Sequence, residues 1–187
     1  MKKGLIAGLV ILGVLVVCVI GFTSTYNSVV KLDETTKEKW AQVENQLQRR
    51  YDLVPDLVKV ANKYASHEKE VITAVVDARA KLSGATTENE QIAASAELEN
   101  ALSRLLVVVE NYPTLKADTT YIALMDEMSG TENRIAVARK DYNEAVKAYN
   151  VKIKTFPIVL FRGMLGTEEK AFFEVSDNVL SKPEYDL

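Results

Sequence analysis

A chain of 187 residues has room for one domain and an appendage. Hydrophobic residues make up 48%, while Gly totals 8, Pro 4 and Trp 1, a composition that suits helices and argues against a turn-rich β sandwich. The net charge is −3, and setting aside Lys2 and Lys3 leaves 21 basic against 26 acidic side chains, so the basic surface that nucleic acid requires is missing and that class of partner is excluded.

The first element is "MKKGLIAGLVILGVLVVCVIGFTSTY", in which residues 4–22 are apolar throughout and no charged side chain follows Lys3 until Lys31. At 1.5 Å per residue that run spans roughly 28 Å, close to the hydrocarbon thickness of a bilayer. It exceeds the h-region of a cleaved signal peptide and no A-x-A-like site follows it. A lipoprotein would need a small residue before Cys18, where Val17 stands. The expectation is an uncleaved single-pass anchor over residues 1–25 with the lipid bilayer as its first partner. Lys2 and Lys3 favour a cytoplasmic N-terminus and a domain outside, in the inner (plasma) membrane of a bacterium, with Lys31, Lys37 and Lys39 weakening that vote. Gly4 and Gly8 form a GxxxG and are candidate positions for close helix packing in lipid, although glycine is also common in spans that do not associate.

Past Phe22 the pattern is helical. Val29, Leu32, Thr36, Trp40, Val43, Leu47 and Tyr51, and then Val54, Val58, Ala61, Ala65, Glu68, Ile72, Val75, Arg79 and Leu82, recur at steps of three and four. That spacing predicts one helix of more than fifty residues, kinked at Pro55 or broken there into two packed pieces. Ser83 and Gly84 supply a stop, and Thr87 with Glu90 a capping box for the next helix. The second arm is expected from about Glu88 to Asn111 with Ile92, Ala96, Leu102, Leu105, Leu106 and Val109 inward. Its "LLVVVE" passes for a strand in isolation but has helical flanks. Tyr112 and Pro113 break that run, and a third segment carries Tyr121, Met125, Met128, Ile135, Ala138, Tyr142, Ala145, Tyr149 and Ile153 in phase, with Gly130 in its middle and Phe156 and Pro157 at its end.

Three long stripes joined by short turns must bury one another. The fold class expected is therefore all-α: an N-terminal transmembrane helix followed by an antiparallel up-and-down bundle of three to four long helices over residues 26–156, then an apolar tail and a flexible C-terminus over 157–187. On the helical wheel Arg49 and Asp56 point away from the inner face and Arg50 lies at its flank. Arg49 is within i+3 reach of Asp52. Pro55 removes one backbone donor, so the Tyr51 carbonyl needs water, a side chain such as Arg50, or a partner. Arg49, Arg50 and Asp56 read as a solvated face at a bend, or as a binding patch there.

The blocks "YNSVVKLDE", Trp40, "VENQLQRRYDLVPDLV", "YASHE", Ala78 with Arg79, "ENYPTLKAD", "ENRIAVARKDYNEAVKAYN" and "FP" before "FFE" resemble the LemA family in order, across nearly the whole domain from Tyr26 to about Glu174. The resemblance implies a single N-terminal membrane anchor and a helical bundle. It brings no catalytic residues, and it suggests partnership with envelope proteins such as membrane proteases.

A search for chemistry points away from an enzyme and identifies no catalytic, cofactor-binding or metal site. His67 is the sole histidine, and "HEKEV" places valine where a zinc-protease motif needs its second histidine. Cys18 is the sole cysteine and lies within the span. Asp118, Asp126 and Glu127 read as a solvated face rather than a hard-cation site. Tyr142 and Tyr149, one heptad apart, read as core or as a seam between subunits. The tail "FPIVLFRGMLGTEEKAFFEV", with Phe156, Phe161, Phe172 and Phe173, must cover the bundle, enter the membrane interface or meet another subunit. Two functions are carried: a self-associating, homo-oligomeric envelope scaffold that docks protein partners, and an accessory subunit of a membrane enzyme docked at the bend. A hydrolase dependent on His67 is a distant third.

Overall fold

The computed structural model describes residues 2–174, and at residues 2, 3, 5 and 7 the backbone alone; the "SKPEYDL" terminus read as flexible lies outside the described residues. All regular structure among the described residues is helical: α1 (Lys2–Tyr64), α2 (Lys69–Gly84), α3 (Glu88–Val109), α4 (Pro113–Lys116), α5 (Thr119–Lys154) and α6 (Ile158–Leu165). The all-α expectation holds.

α1 runs unbroken through Pro55, so the loss of one donor is accommodated within the helix and the reading of a full break there is set aside. The expected continuity from Val29 to Leu82 is corrected, because the chain turns at residues 65–68. The Ala65 N–H still donates to the Ala61 carbonyl at 2.7 Å, but the Glu68 N–H closes a tighter loop onto the Ala65 carbonyl at 3.0 Å, and α2 then starts with Ile72 donating to the Glu68 carbonyl. Four turn residues nearly match the 3.6 of one helical turn, so the apolar phase survives the interruption and hides it.

The turn between α2 and α3 follows the sequence closely. Thr87 Oγ1 accepts from the Glu90 N–H at 3.2 Å while Glu90 Oε2 accepts from the Thr87 N–H at 3.1 Å, so both orphan donors are satisfied. The Thr86 N–H, which donates to Glu90 Oε2 at 2.8 Å, and the Thr87 N–H together hold the Glu90 carboxyl below its ordinary range. The "LLVVV" run is the helical end of α3, as its flanks predict. Within α3, however, Leu98 is fully buried and Leu106 is exposed, and in α1 Leu57 is more deeply buried than Val58. α5 is preceded by Asp118, whose Oδ1 accepts from the Thr120 and Tyr121 N–H groups at 2.9 and 3.2 Å, and the helix continues through Gly130 without interruption.

The chain divides into two compact units. One comprises Met1–Trp40 and Asp141–Ala171; the other comprises Ala41–Lys140 and Phe172–Leu187. In the second, Val54, Leu57 and Ala61 of α1, Ile72, Val75, Ala78 and Leu82 of α2, Leu98, Leu102 and Leu105 of α3, Leu115 of α4 and Tyr121 and Met128 of α5 share one core. Within it α1 and α5 are antiparallel: Tyr64 near the end of α1 bonds Asp118 before α5, and the earlier Arg50 pairs with the later Glu132. In the first unit Val29, Tyr149, Ile153 and Ile158 form a small core, with Leu32 and Leu165 packed beside it.

Candidate interaction site

Removing the Pro55 N–H leaves the Tyr51 carbonyl without its helical donor. Arg79, on α2, supplies the replacement: its Nε donates to the Tyr51 carbonyl oxygen at 3.2 Å while its guanidinium lies 3.8 Å from the centroid of the Tyr51 ring. One planar cation thus satisfies the freed acceptor and covers the neighbouring aromatic face. Sequence reasoning missed this role because residues 51 and 79 are 28 apart; what it offered was the orphaned oxygen and an arginine interrupting an apolar stripe.

The two arginines before Pro55 part company. Arg49 stays exposed and donates from Nη2 to Glu127 Oε1 at 2.7 Å, across to α5 rather than to Asp52 on its own helix. Asp52 accepts instead from Gln48 at 2.9 Å. Arg50 is only 6% exposed, and its Nη2 forms an ion pair with Glu132 on α5. The expectation of a solvated Arg50 is corrected: its flank position turns the side chain into the α1 and α5 contact, where an unpaired cation would be costly and a carboxylate must meet it. Asp56 is exposed on the outer face, as is Pro55. An open hollow of about 350 Å³ lies near this stretch, lined by Leu47, Gln48, Tyr51, Leu82 and Gln91 among others.

The acidic residues read as a solvated face have separate tasks. Glu127 pairs with Arg49, Asp126 is exposed, and Asp118 caps α5 while accepting from the Tyr64 hydroxyl at 2.7 Å, with Lys63 Nζ 3.6 Å away. The Tyr64 hydroxyl, with the Tyr121 and Thr120 amides, pulls the Asp118 carboxyl down to about 2. His67 sits exposed in the turn at residues 65–68, beside Glu68, which accepts from the Tyr112 hydroxyl at 2.8 Å.

In the other unit, two of the residues carried as contacts lie inside. Tyr142 is fully buried, its ring centroid 5.0 Å from that of Trp40, and its hydroxyl donates to the Ala171 carbonyl at 3.2 Å. Tyr149 is 4% exposed, with Lys170 Nζ over its ring at 5.3 Å. Both tyrosines therefore fill space within the chain, the first of the two readings. Asn150, which the stripe passes over, does more: its Nδ2 donates to the Lys170 carbonyl and its Oδ1 accepts from the Lys170 N–H, both at 2.9 Å. That two-way pairing fastens the extended stretch after α6. Lys170 also bridges to Asp33 at 3.0 Å. Burial pushes the Asp33 carboxyl up, but Lys170 and Lys37 outweigh it and hold the group below its ordinary value.

The tail aromatics divide as well. Phe156 is 79% exposed, whereas Phe161 packs edge-on against Phe22 with centroids 5.0 Å apart. Phe172 is partly exposed, and Phe173 is buried with the Arg139 guanidinium 5.4 Å over its ring. Gly4 and Gly8 are exposed, and a methyl group added at either would meet nothing within 4 Å.

The fold defines a membrane-associated, all-α protein: among the described residues one helix, α1, is long and apolar enough to cross a bilayer, and its apolar window carries no burial. The chain matches the LemA family over residues 39–186 and belongs to it. It is 29% identical, over an alignment 202 positions long, to magnetosome protein MamQ 2 of Paramagnetospirillum magneticum, covering 92% of this chain and 74% of that one. Magnetosome protein MamQ of Magnetospirillum gryphiswaldense is 27% identical over 176 residues, covering 78% and 65%. Protein LemA of Metamycoplasma hominis is 26% identical over 115 residues, covering 61% and 52%.

Proposed function

We propose that the protein is a non-enzymatic, membrane-anchored scaffold of the bacterial inner membrane that self-associates and presents its helices to envelope partners. The observation that carries this reading is the contrast along α1. Ile6 and the large apolar side chains from Leu9 to Ile20 are about half to 70% exposed, whereas further on Val43, Val54 and Ala61 are wholly buried. One part of the helix lacks a protein environment and the other has a full one, which is how an anchored interaction domain is built. Similarity to proteins named for the magnetosome supports the membrane association in this reading. The N-terminus faces the cytoplasm and the helical units face outward, following Lys2 and Lys3.

The test is chemical crosslinking in native membranes followed by sizing in nanodiscs. Self-association predicts a discrete ladder of species. A chain that is monomeric in nanodiscs and crosslinks to nothing in cells is no scaffold. Protease accessibility in intact spheroplasts checks orientation: cleavage of the helical units from outside is expected, and protection would reverse the topology.

A second reading keeps the outer face of α1 at Arg49, Pro55 and Asp56 as a dock for a membrane enzyme, such as a membrane protease. Arg49 and Asp56 remain exposed there, and so favour it. Arg49→Glu with Asp56→Lys should abolish co-purification of that enzyme while leaving helical content unchanged; undiminished co-purification removes the dock.

A further inference from the structure

We propose that α6 lies in the membrane interface, its outward face seated at the headgroup and acyl boundary of the same bilayer that α1 crosses. The segment "IVLFRGML" has a single charged side chain, Arg162. Leu160 and Met164, four residues apart, share one face of α6 and are 70% and 77% exposed, with Val159 beside them, and Phe156, just before the helix, is 79% exposed. So much exposed apolar surface on two turns of helix calls for a cover.

The other side of α6 is already used. Ile158 is fully buried with Val29, Tyr149 and Ile153, and Leu165 packs on the same cluster. Phe161 meets Phe22 edge to face, with an interplanar angle of 77°. That contact sets the depth of α6, because Phe22 is the last residue of the uninterrupted apolar run at 4–22. A helix touching α1 there sits where α1 leaves hydrocarbon. The exposed Tyr26 follows one turn later on α1, so Phe22, Phe161, Phe156 and Tyr26 supply the aromatic character of a membrane–water boundary.

The charges near α6 are held off that face. Arg162 Nε donates to the Thr167 carbonyl at 3.1 Å, and its Nη2 lies 3.4 Å from Glu169, which also pairs with Lys154 at 2.6 Å. With its one cation turned back onto the chain, the outward face is apolar from end to end, the pattern of a helix that enters an interface by about 5–10 Å. A second copy of the chain is the weaker occupant, since four side chains on two helical turns fall short of the roughly 800 Å² per partner that a specific protein interface buries. The proposal rests on the reading of residues 4–22 as a membrane span.

The test uses the full chain in phosphatidylcholine and phosphatidylglycerol nanodiscs, in a Cys18→Ser background, with Leu160→Cys, Met164→Cys or Ile11→Cys labelled by an environment-sensitive fluorophore. Lipids carry a nitroxide quencher either near the headgroup or near the end of the acyl chain. The 160 and 164 probes are expected to lose about half their emission to the shallow quencher and less to the deep one, while the probe at 11 shows the reverse order. Quenching at 11 with none at 160 and 164 overturns the proposal alone. In that case blue-shifted emission means that a second copy or another protein covers the face, and water-like emission means that it is bare. Absence of quenching at 11 overturns the span and the proposal together. Because 160 and 164 are both exposed, agreement between them guards against one misfolded variant.

Discussion

The two compact units are held by different means. The unit of Ala41–Lys140 and Phe172–Leu187 draws its core from α1 to α5, with Leu57, Leu98, Leu105 and Leu115 all at or near zero exposure. The unit of Met1–Trp40 and Asp141–Ala171 gathers Val29, Tyr149, Ile153 and Ile158 in one cluster, buries Trp40, Tyr142 and Val146 besides, and adds polar fastening by Tyr142, Asn150 and Lys170. Apolar residues thus do not become buried core in equal measure: those of α1 from Leu9 to Ile20, and Leu160 and Met164 of α6, stay exposed. The unit with the Val29 cluster also carries the exposed apolar stretch of α1 and the exposed side chains of α6, so much of its apolar surface is turned outward.

The largest test of that contrast lies in the thicker core. Leu98→Ala removes a fully buried side chain from α3 and should cost about 2–5 kcal/mol, read as faster amide exchange through α2 and α3. If exchange at residues 29–36 and 150–158 rises equally, the two units are one cooperative body and the contrast fails. Next is Asn150→Leu, which strands both backbone groups of Lys170 and should cost about 1–3 kcal/mol, concentrated in the exchange of residues 167–171. Little change there would mean that the tail is held by its apolar contacts instead. Arg79→Met preserves much of the side-chain volume but withdraws the donor from the Tyr51 carbonyl, with an expected cost of about 1–2 kcal/mol and increased exchange around Pro55.

The smallest effect is pH-dependent. The Asp118 carboxyl, normally near 3.8, is held at about 2 by the Tyr64 hydroxyl and the first amides of α5. A depressed carboxylate stabilises the fold above its unfolded value, so this contribution is complete above about pH 4 and fades as pH falls toward 2. Asp118→Asn should flatten the acid limb of the stability curve in that window. An unchanged limb would assign acid sensitivity to other carboxylates.

What the sequence made legible was local or periodic. The capping box at Thr87 and Glu90, the stop at Ser83 and Gly84, the apolar start of α1 and the phase of α5 each depend on residues within a few positions of one another. The turn at residues 65–68 escaped because its length preserves the helical phase, although Ser66 and His67 stand exposed in "YASHE" as the polar sign of an opening. The pairing of Arg50 with Glu132, and of Arg79 with Tyr51, joins residues far apart in the chain, and no spacing rule reaches them. Burial of Tyr142 and Tyr149 was one of two readings, and choosing between them took the position of the tail, whose Ala171 carbonyl receives the Tyr142 hydroxyl.

Arg79 and Pro55 form a reciprocal pair in a sense that extends beyond this chain. The Arg79 Nε has an unpartnered carbonyl to answer because proline keeps the helix's own amide away from that oxygen, and the Tyr51 ring gives the guanidinium a second contact. Replacing Pro55 with alanine would return a helical donor to an oxygen with two lone pairs, making the arginine's hydrogen bond dispensable without displacing it. Across descendants of this sequence, the two positions should be inherited as a unit: a lineage that loses the proline is released from keeping the arginine, and one that loses the arginine first carries a wound in its longest helix.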